Sequence, residues 1–211
     1  LKKTKFHIIL ILLVVLSCKN DRKTEIDKPE LNQIEITDNL RLELLTQVLS
    51  DSILYEKLRF KKSDLISNKP KMVPPNLPID YKNPSKTISH KEFIADTLSI
   101  ENFNFVESQF QENKAFDLME LSNFGYEVFD LHLYESKEIK RDSISKLVKE
   151  HYKSKGQNPY REVLHITKPI FNEKLNLSYI RIRQGTGGMT LICEKKNKRW
   201  SVKYIIDEWI G

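Results

Sequence analysis

Tyr179, Arg181 and Arg183 are spaced by two in the run Leu177 to Arg183. Residues two apart leave an extended strand on the same face. Two guanidinium groups and a phenol on one face, with Trp200 or Tyr204 nearby, would make a cationic-aromatic surface for an anionic ligand or a glycan. The candidate ligand-binding residues are therefore Tyr179, Arg181, Arg183 and Trp200. The same spacing also describes a solvated arginine face, or a face under helices whose guanidinium groups reach outward.

Other chemistry finds less support. Gly185-Thr186-Gly187-Gly188 would need a following Lys-Ser/Thr at a helix start to cradle phosphate, and a strand-like run follows instead. It reads as a hairpin turn using positive-φ glycines. His90, His132, His151 and His165 form no HxxxH, HxH or HExxH spacing, so zinc is not expected. His165 falls on a strand, where it is packed or partly exposed. Asp207 and Glu208 are adjacent, so on a strand they point to opposite faces and do not form an acid-base pair. No GxSxG sequence is present. No catalytic residue, metal or cofactor is expected.

Cys18 carries the most definite chemistry. Lys2, Lys3 and Lys5 precede nine unbroken aliphatic residues, Ile8 to Leu16. That matches the charged and apolar regions of an export signal and is too short to span a bilayer as a helix. Val15-Leu16-Ser17-Cys18 resembles the lipobox of bacterial lipoproteins, although Leu16 is bulkier than the commonest residue at its place. The resemblance implies a signal peptide over residues 1–17, cut after the small Ser17. It also implies a diacylglyceryl thioether on Cys18 that binds the chain to a membrane. Two or more acyl chains hold a protein firmly, at about 0.8 kcal/mol per buried methylene. Residues 18–37 are polar, include Pro29 and read as a flexible tether. Lys19 in place of Asp favours the outer membrane by analogy; the surface or periplasmic face stays open.

With Lys2, Lys3 and Lys5 removed, 32 basic and 29 acidic side chains remain, a net of +3. The two signs are interleaved, which suggests a mixed-charge surface rather than a nucleic-acid binder. Cys18 and Cys193 are the only cysteines. With Cys18 lipidated, Cys193 has no disulfide partner.

The elements that must position these residues follow from periodicity. Asp38 can cap a helix whose stripe is Leu40, Leu44, Leu45, Val48 and Leu49, continued by Leu54 and Leu58. Residues 68–86 hold five of the eight prolines and read as a loop with no regular element. Ser99 can cap a second helix reaching about Glu112, and a third is expected over Ser143 to Lys153. Residues 122–130 read as irregular or a short strand. Strands are expected at Arg161 to Thr167, Asn176 to Arg183 and Met189 to Glu194. A fourth has Trp200, Val202, Tyr204 and Ile206 on one face. Lys168 to Lys174, with Pro169, reads as a loop or bulge. The expected fold class is α+β: N-terminal helices packed on one face of a C-terminal antiparallel four-stranded meander, as a single domain over 38–211.

His165 to Asn172, Gly185-Thr186-Gly187-Gly188 and Lys198-Arg199-Trp200-Ser201-Val202 together resemble small uncharacterised lipoproteins of Bacteroidetes type. The likeness covers roughly the last third of the chain. It implies an exported, membrane-tethered protein and brings no activity. Some such proteins carry more cysteines near the glycine turn; this chain does not. The functional expectation is a lipid-anchored, non-enzymatic binding module of the cell envelope, with an envelope protein or glycan as partner. A hydrolase whose site is assembled from residues distant in sequence is the alternative.

Overall fold

The structure is a computed structural model that describes residues 35–71, 76–78, 87–111 and 116–209. The segments expected to be a signal peptide and most of a tether, Cys18 included, lie outside the described residues, as does much of the proline-rich loop. Contacts divide the chain into residues 1–35 and 36–211, and the second unit holds the fold.

Helix α1 (Asp38–Val48) begins at Thr37, whose Oγ accepts from the Leu40 amide at 3.2 Å. The cap is thus Thr37 rather than Asp38. The Asp38 carboxylate instead pairs with Arg41 at 2.8 Å, and Arg41 also donates to the Ile36 carbonyl. Leu44, Leu45 and Val48 are fully buried. Leu54 and Leu58 continue the stripe onto the same core, but the helix does not run through: Asp51 accepts from the Ile53 amide and starts α2 (Ser52–Leu58).

Strand β1 (Leu65–Ser67) follows. Within the loop expected to lack regular structure, β2 (Asn76–Pro78) pairs antiparallel with β3 (Thr87–Ser89). A two-stranded ladder is all edge, and an edge tolerates proline. Ser89 caps α3 (His90–Leu98), a helix that sequence periodicity missed. Ser99 does not cap the next helix; it ends α3 in the left-handed region at φ 54°. Helix α4 (Phe103–Gln111) starts four residues later. A 3-10 turn (Met119–Phe124) ends on Gly125 at φ 81° and leads into β4 (Glu127–Phe129), α5 (Leu131–Ser136) and α6 (Arg141–Ser154).

The last fifty residues supply β5 (Leu164–Ile166), β6 (Ile170–Phe171), β7 (Leu177–Gln184), β8 (Gly187–Lys196) and β9 (Arg199–Trp209). The protein is α+β as expected, but the sheet is mixed and larger than a four-stranded antiparallel meander. Its order is β4-β1-β5-β7-β8-β9, with β6 also on β7. β1 lies parallel to both β4 and β5. Strands of three residues are too short to show a two-residue period, so β1 escaped the sequence reading, and β4 is the short strand that the reading of 122–130 left as one of two alternatives. β6 likewise replaces part of the expected 168–174 loop.

Helices cover both faces. On one face, α1, α2 and the 3-10 turn bury Ile66, Ile180, Ile182, Leu191, Cys193 and Trp200. On the other, α3 and α4 cover Ile170, Tyr179 and Ile192, while Val148 and Tyr152 of α6 pack on Leu65. Strand β9 does not alternate simply. Cys193 pairs with Val202 but Ile192 with Tyr204, and Leu191 with Ile205 but Thr190 with Asp207. The extra residues Lys203 and Ile206 are β-bulges. They flip Tyr204 away from the Trp200 face and turn Ile205 toward the α1 core.

Candidate anion-binding site

Between the patch under α3 and α4 and the patch under α6, the same sheet face carries polar residues. Arg181 and Arg183 stand on β7, and His165 of β5 is directly opposite Arg183. Thr167 follows β5, and Lys71 bridges to it in parallel. Thr186 sits in the β7–β8 turn and Trp209 ends β9. Together these seven residues line an open pocket of about 450 Å³. No carboxylate is among its described lining residues.

The backbone holds the set in register. Thr167 donates its amide to the Arg181 carbonyl at 2.9 Å, and its Oγ accepts from the Arg181 amide at 2.9 Å. The Lys71 amide donates to Ile166 at 2.8 Å. Arg183 Nε donates to the Gly185 carbonyl at 2.8 Å, across a turn in which Gly185 takes φ 63°.

Gly188 builds the far wall. It pairs with Trp209, and a Cβ on it would stand 2.3 Å from Trp209 Cζ2 and 2.6 Å from the Ile182 carbonyl. Only glycine lets the indole lie here. The Arg181 guanidinium rests over that indole, 4.9 Å from its centre. Such cation-π contact holds a charge in place without neutralising it.

His165 is half-buried, and its Nδ1 is inaccessible to solvent and bonds no described group. Loss of water, then Lys71 and Arg183, push its pKa down to about 4. The imidazole is therefore neutral at pH 7. A neutral ring among cations can donate or accept a hydrogen bond, or take up a proton when an anion arrives.

The structure brings Arg181 and Arg183 together and separates them from the other two sequence candidates. Tyr179 shares their face but is 1% exposed beneath α3, its hydroxyl 2.6 Å from His90 Nε2. Burial pushes its pKa up to about 12. Trp200 lies on the opposite face, packed edge-on against Phe171 at 5.7 Å. Trp209, not Trp200, supplies the aromatic wall. The sequence reading also missed Lys71, Thr167 and Thr186, and placed His165 on its strand without a role. The one available signal was alternation: His165 and Thr167 share a strand face as Arg181 and Arg183 do.

The remaining candidates fall elsewhere. Gly187 and Gly188 belong to β8 rather than a phosphate-cradling loop. Glu208 pairs with Lys57 at 2.9 Å, and Asp207 sits opposite Thr190. Cys193 is buried, which raises its thiol pKa well above the usual range. Among the described residues no group of three or more His, Cys, Asp or Glu is placed to hold a metal, and no helix is long and apolar enough to cross a membrane. Comparison with protein-family models, with curated proteins and with solved structures finds no match to this chain.

Proposed function

We propose that this chain is a lipid-anchored cell-envelope protein whose folded domain binds a small anionic ligand without transforming it. The observation that carries the ligand class is the pocket itself: Lys71, Arg181 and Arg183 converge on a cavity lined by no described carboxylate. Surface cations are usually interleaved with anions, as they are over the rest of this chain. Lys71, Arg181 and Arg183 make no ion pair with the described residues, as other exposed cations such as Lys146, Lys153 and Arg199 also do not; what sets the three apart is that they line one cavity. The anchor rests on the Ser17-Cys18 pattern and its leader. An acidic glycan or a carboxylate- or phosphate-bearing metabolite of the envelope fits the site.

One observation favours a hydrolase instead. His165 is a neutral imidazole in a pocket, and such a group can act as a base. Yet its Nδ1 bonds no described group, so nothing on that side orients the ring as a catalytic histidine requires. Binding is the better reading.

The test is a calorimetric titration with glucuronate, acetate and phosphate at low salt. At least one anion should bind, and Arg183→Gln should weaken that binding about tenfold, the scale of one charge-assisted contact. Silence with every anion, or an unchanged R183Q, sinks the reading.

A further inference from the structure

The anion-site reading leaves the ligand's charged group open, and the inference drawn here rests on that reading. We propose that the pocket takes a phosphate monoester, its three terminal oxygens distributed among Arg181, Arg183 and Lys71.

The argument is one of charge and valence. Three cationic side chains line one cavity and none makes an ion pair with a described carboxylate; Glu162, beside Gly185, and Asp207, in the cross-strand row of Arg181, stand at the rim rather than in the lining. Lys71 senses Glu135, but Lys69 already holds that carboxylate at 2.5 Å. Arg183 spends only its Nε on the Gly185 carbonyl, so both of its terminal amino groups remain for a ligand. Arg181 is stacked on Trp209 and makes no side-chain hydrogen bond with the described residues. A carboxylate has one charge and two oxygens, which would leave two cations uncompensated. A sulfate ester has three terminal oxygens but again one charge. A phosphate monoester carries a charge of about −1.5 to −2 near neutrality and three strong acceptor oxygens.

The geometry suits a tetrahedral group. Arg181 and Arg183 stand two residues apart, so their Cα atoms are separated by about 7 Å along the strand. Side chains that long can close on one ligand from two sides. Lys71 enters from the opposite rim through its bridge to Thr167. Thr167 Oγ already accepts from the Arg181 amide, so its own proton is available to a ligand oxygen. The Thr186 hydroxyl stands at the turn. His165 lines the same cavity, close enough for a bound anion to act on its charge across the pocket wall. The charged groups that face His165 among the described residues are Lys71 from the segment after β1 and Arg183 from β7. Both oppose its protonation until a dianion screens them.

The experiment uses the detergent-solubilised full chain and three minimal probes at pH 8: methyl phosphate, methyl sulfate and acetate. Methyl phosphate should bind at least about tenfold more tightly than either monoanion, and K71Q and R183Q should each lower its affinity about tenfold. Unchanged circular dichroism in both variants separates loss of the site from loss of the fold. The His165 ring resonances should titrate at higher pH when methyl phosphate is saturating. Glucose 6-phosphate and soluble dihexanoyl phosphatidic acid then distinguish a sugar phosphate from a lipid headgroup, both being phosphate monoesters. Preference for acetate or methyl sulfate overturns the phosphate assignment and leaves the anion site standing. Absence of binding by all three overturns both.

Discussion

His165 sits where loss of water and two nearby cations all oppose its protonation. In the unfolded chain the same imidazole has a pKa of 6.5, against about 4 in the folded protein. Between these values the unfolded state holds more protons, so acid draws the equilibrium toward unfolding. This contribution to stability is complete above pH 6.5 and disappears as the pH falls toward 4. The ligand-free protein should therefore lose urea resistance over that window, and His165→Gln should flatten the loss. Equal pH slopes for the two proteins, read from urea midpoints, would contradict this assignment. The arginines beside His165 were legible in the sequence because β7 alternates without interruption over Ser178 to Arg183. The aromatic partner was not. Its identity depends on Gly188 leaving room for an indole, a contact between positions 21 residues apart that no periodicity reports.

Strand β9 ends the sheet, and a bare edge offers unpaired amides to other chains. Two side chains from the first helical pair close it. Gln47 accepts from the Trp200 amide at 2.5 Å, and Asp51 Oδ2 accepts from the Val202 amide at 3.2 Å. Lys195 reaches Glu43 at 2.8 Å alongside. Asp51 has a second duty, since its Oδ1 caps α2 through the Ile53 amide. Asp51→Ala removes a cap and an edge acceptor at once, and should cost about 2.5–4 kcal/mol, from about 1 for the cap and about 1.5–3 for a charged hydrogen bond. Urea denaturation measures that loss, and a change under about 0.5 kcal/mol would mean that water replaces both contacts. The long elements were visible in the sequence because burial imposes a period on them: α1, α6 and the β7–β8–β9 hairpins fall within a few residues of expectation. The short ones were not. β1 and β6 take part in the sheet through pairing with distant strands, and a stretch of two or three residues has no period to read; for the same reason β4 could be offered only as one of two alternatives over 122–130. The bulges at Lys203 and Ile206 defeated alternation in β9 for the related reason that they answer to the core beneath α1 rather than to local sequence.

At the scale of the whole molecule, the proposed function joins two chemistries that lie far apart in the chain. The binding pocket belongs to the folded unit of residues 36–211, and the attachment to a thiol at position 18. The near balance of charge that remains once the proposed leader is discounted makes electrostatic adhesion to an anionic membrane a weak substitute for an anchor. Each basic side chain near such a surface contributes about 1 kcal/mol, and these are offset by almost as many acids. A single acyl chain is also marginal, with an association constant of about 10⁴ M⁻¹. Firm attachment thus calls for the two or more chains that the Cys18 thioether and amino terminus would carry. Mass spectrometry of the N-terminal peptide from cell membranes should find Cys18 as the first residue, bearing a diacylglyceryl group. Cys18→Ser should leave no acylated peptide and should move the protein out of the detergent-extracted fraction or leave residues 1–17 uncleaved. An unmodified Cys18 on a membrane-associated chain would remove the anchor from the proposal and leave the pocket as a separate question, because Lys71, His165, Arg181 and Arg183 owe their arrangement to the sheet and nothing to the lipid.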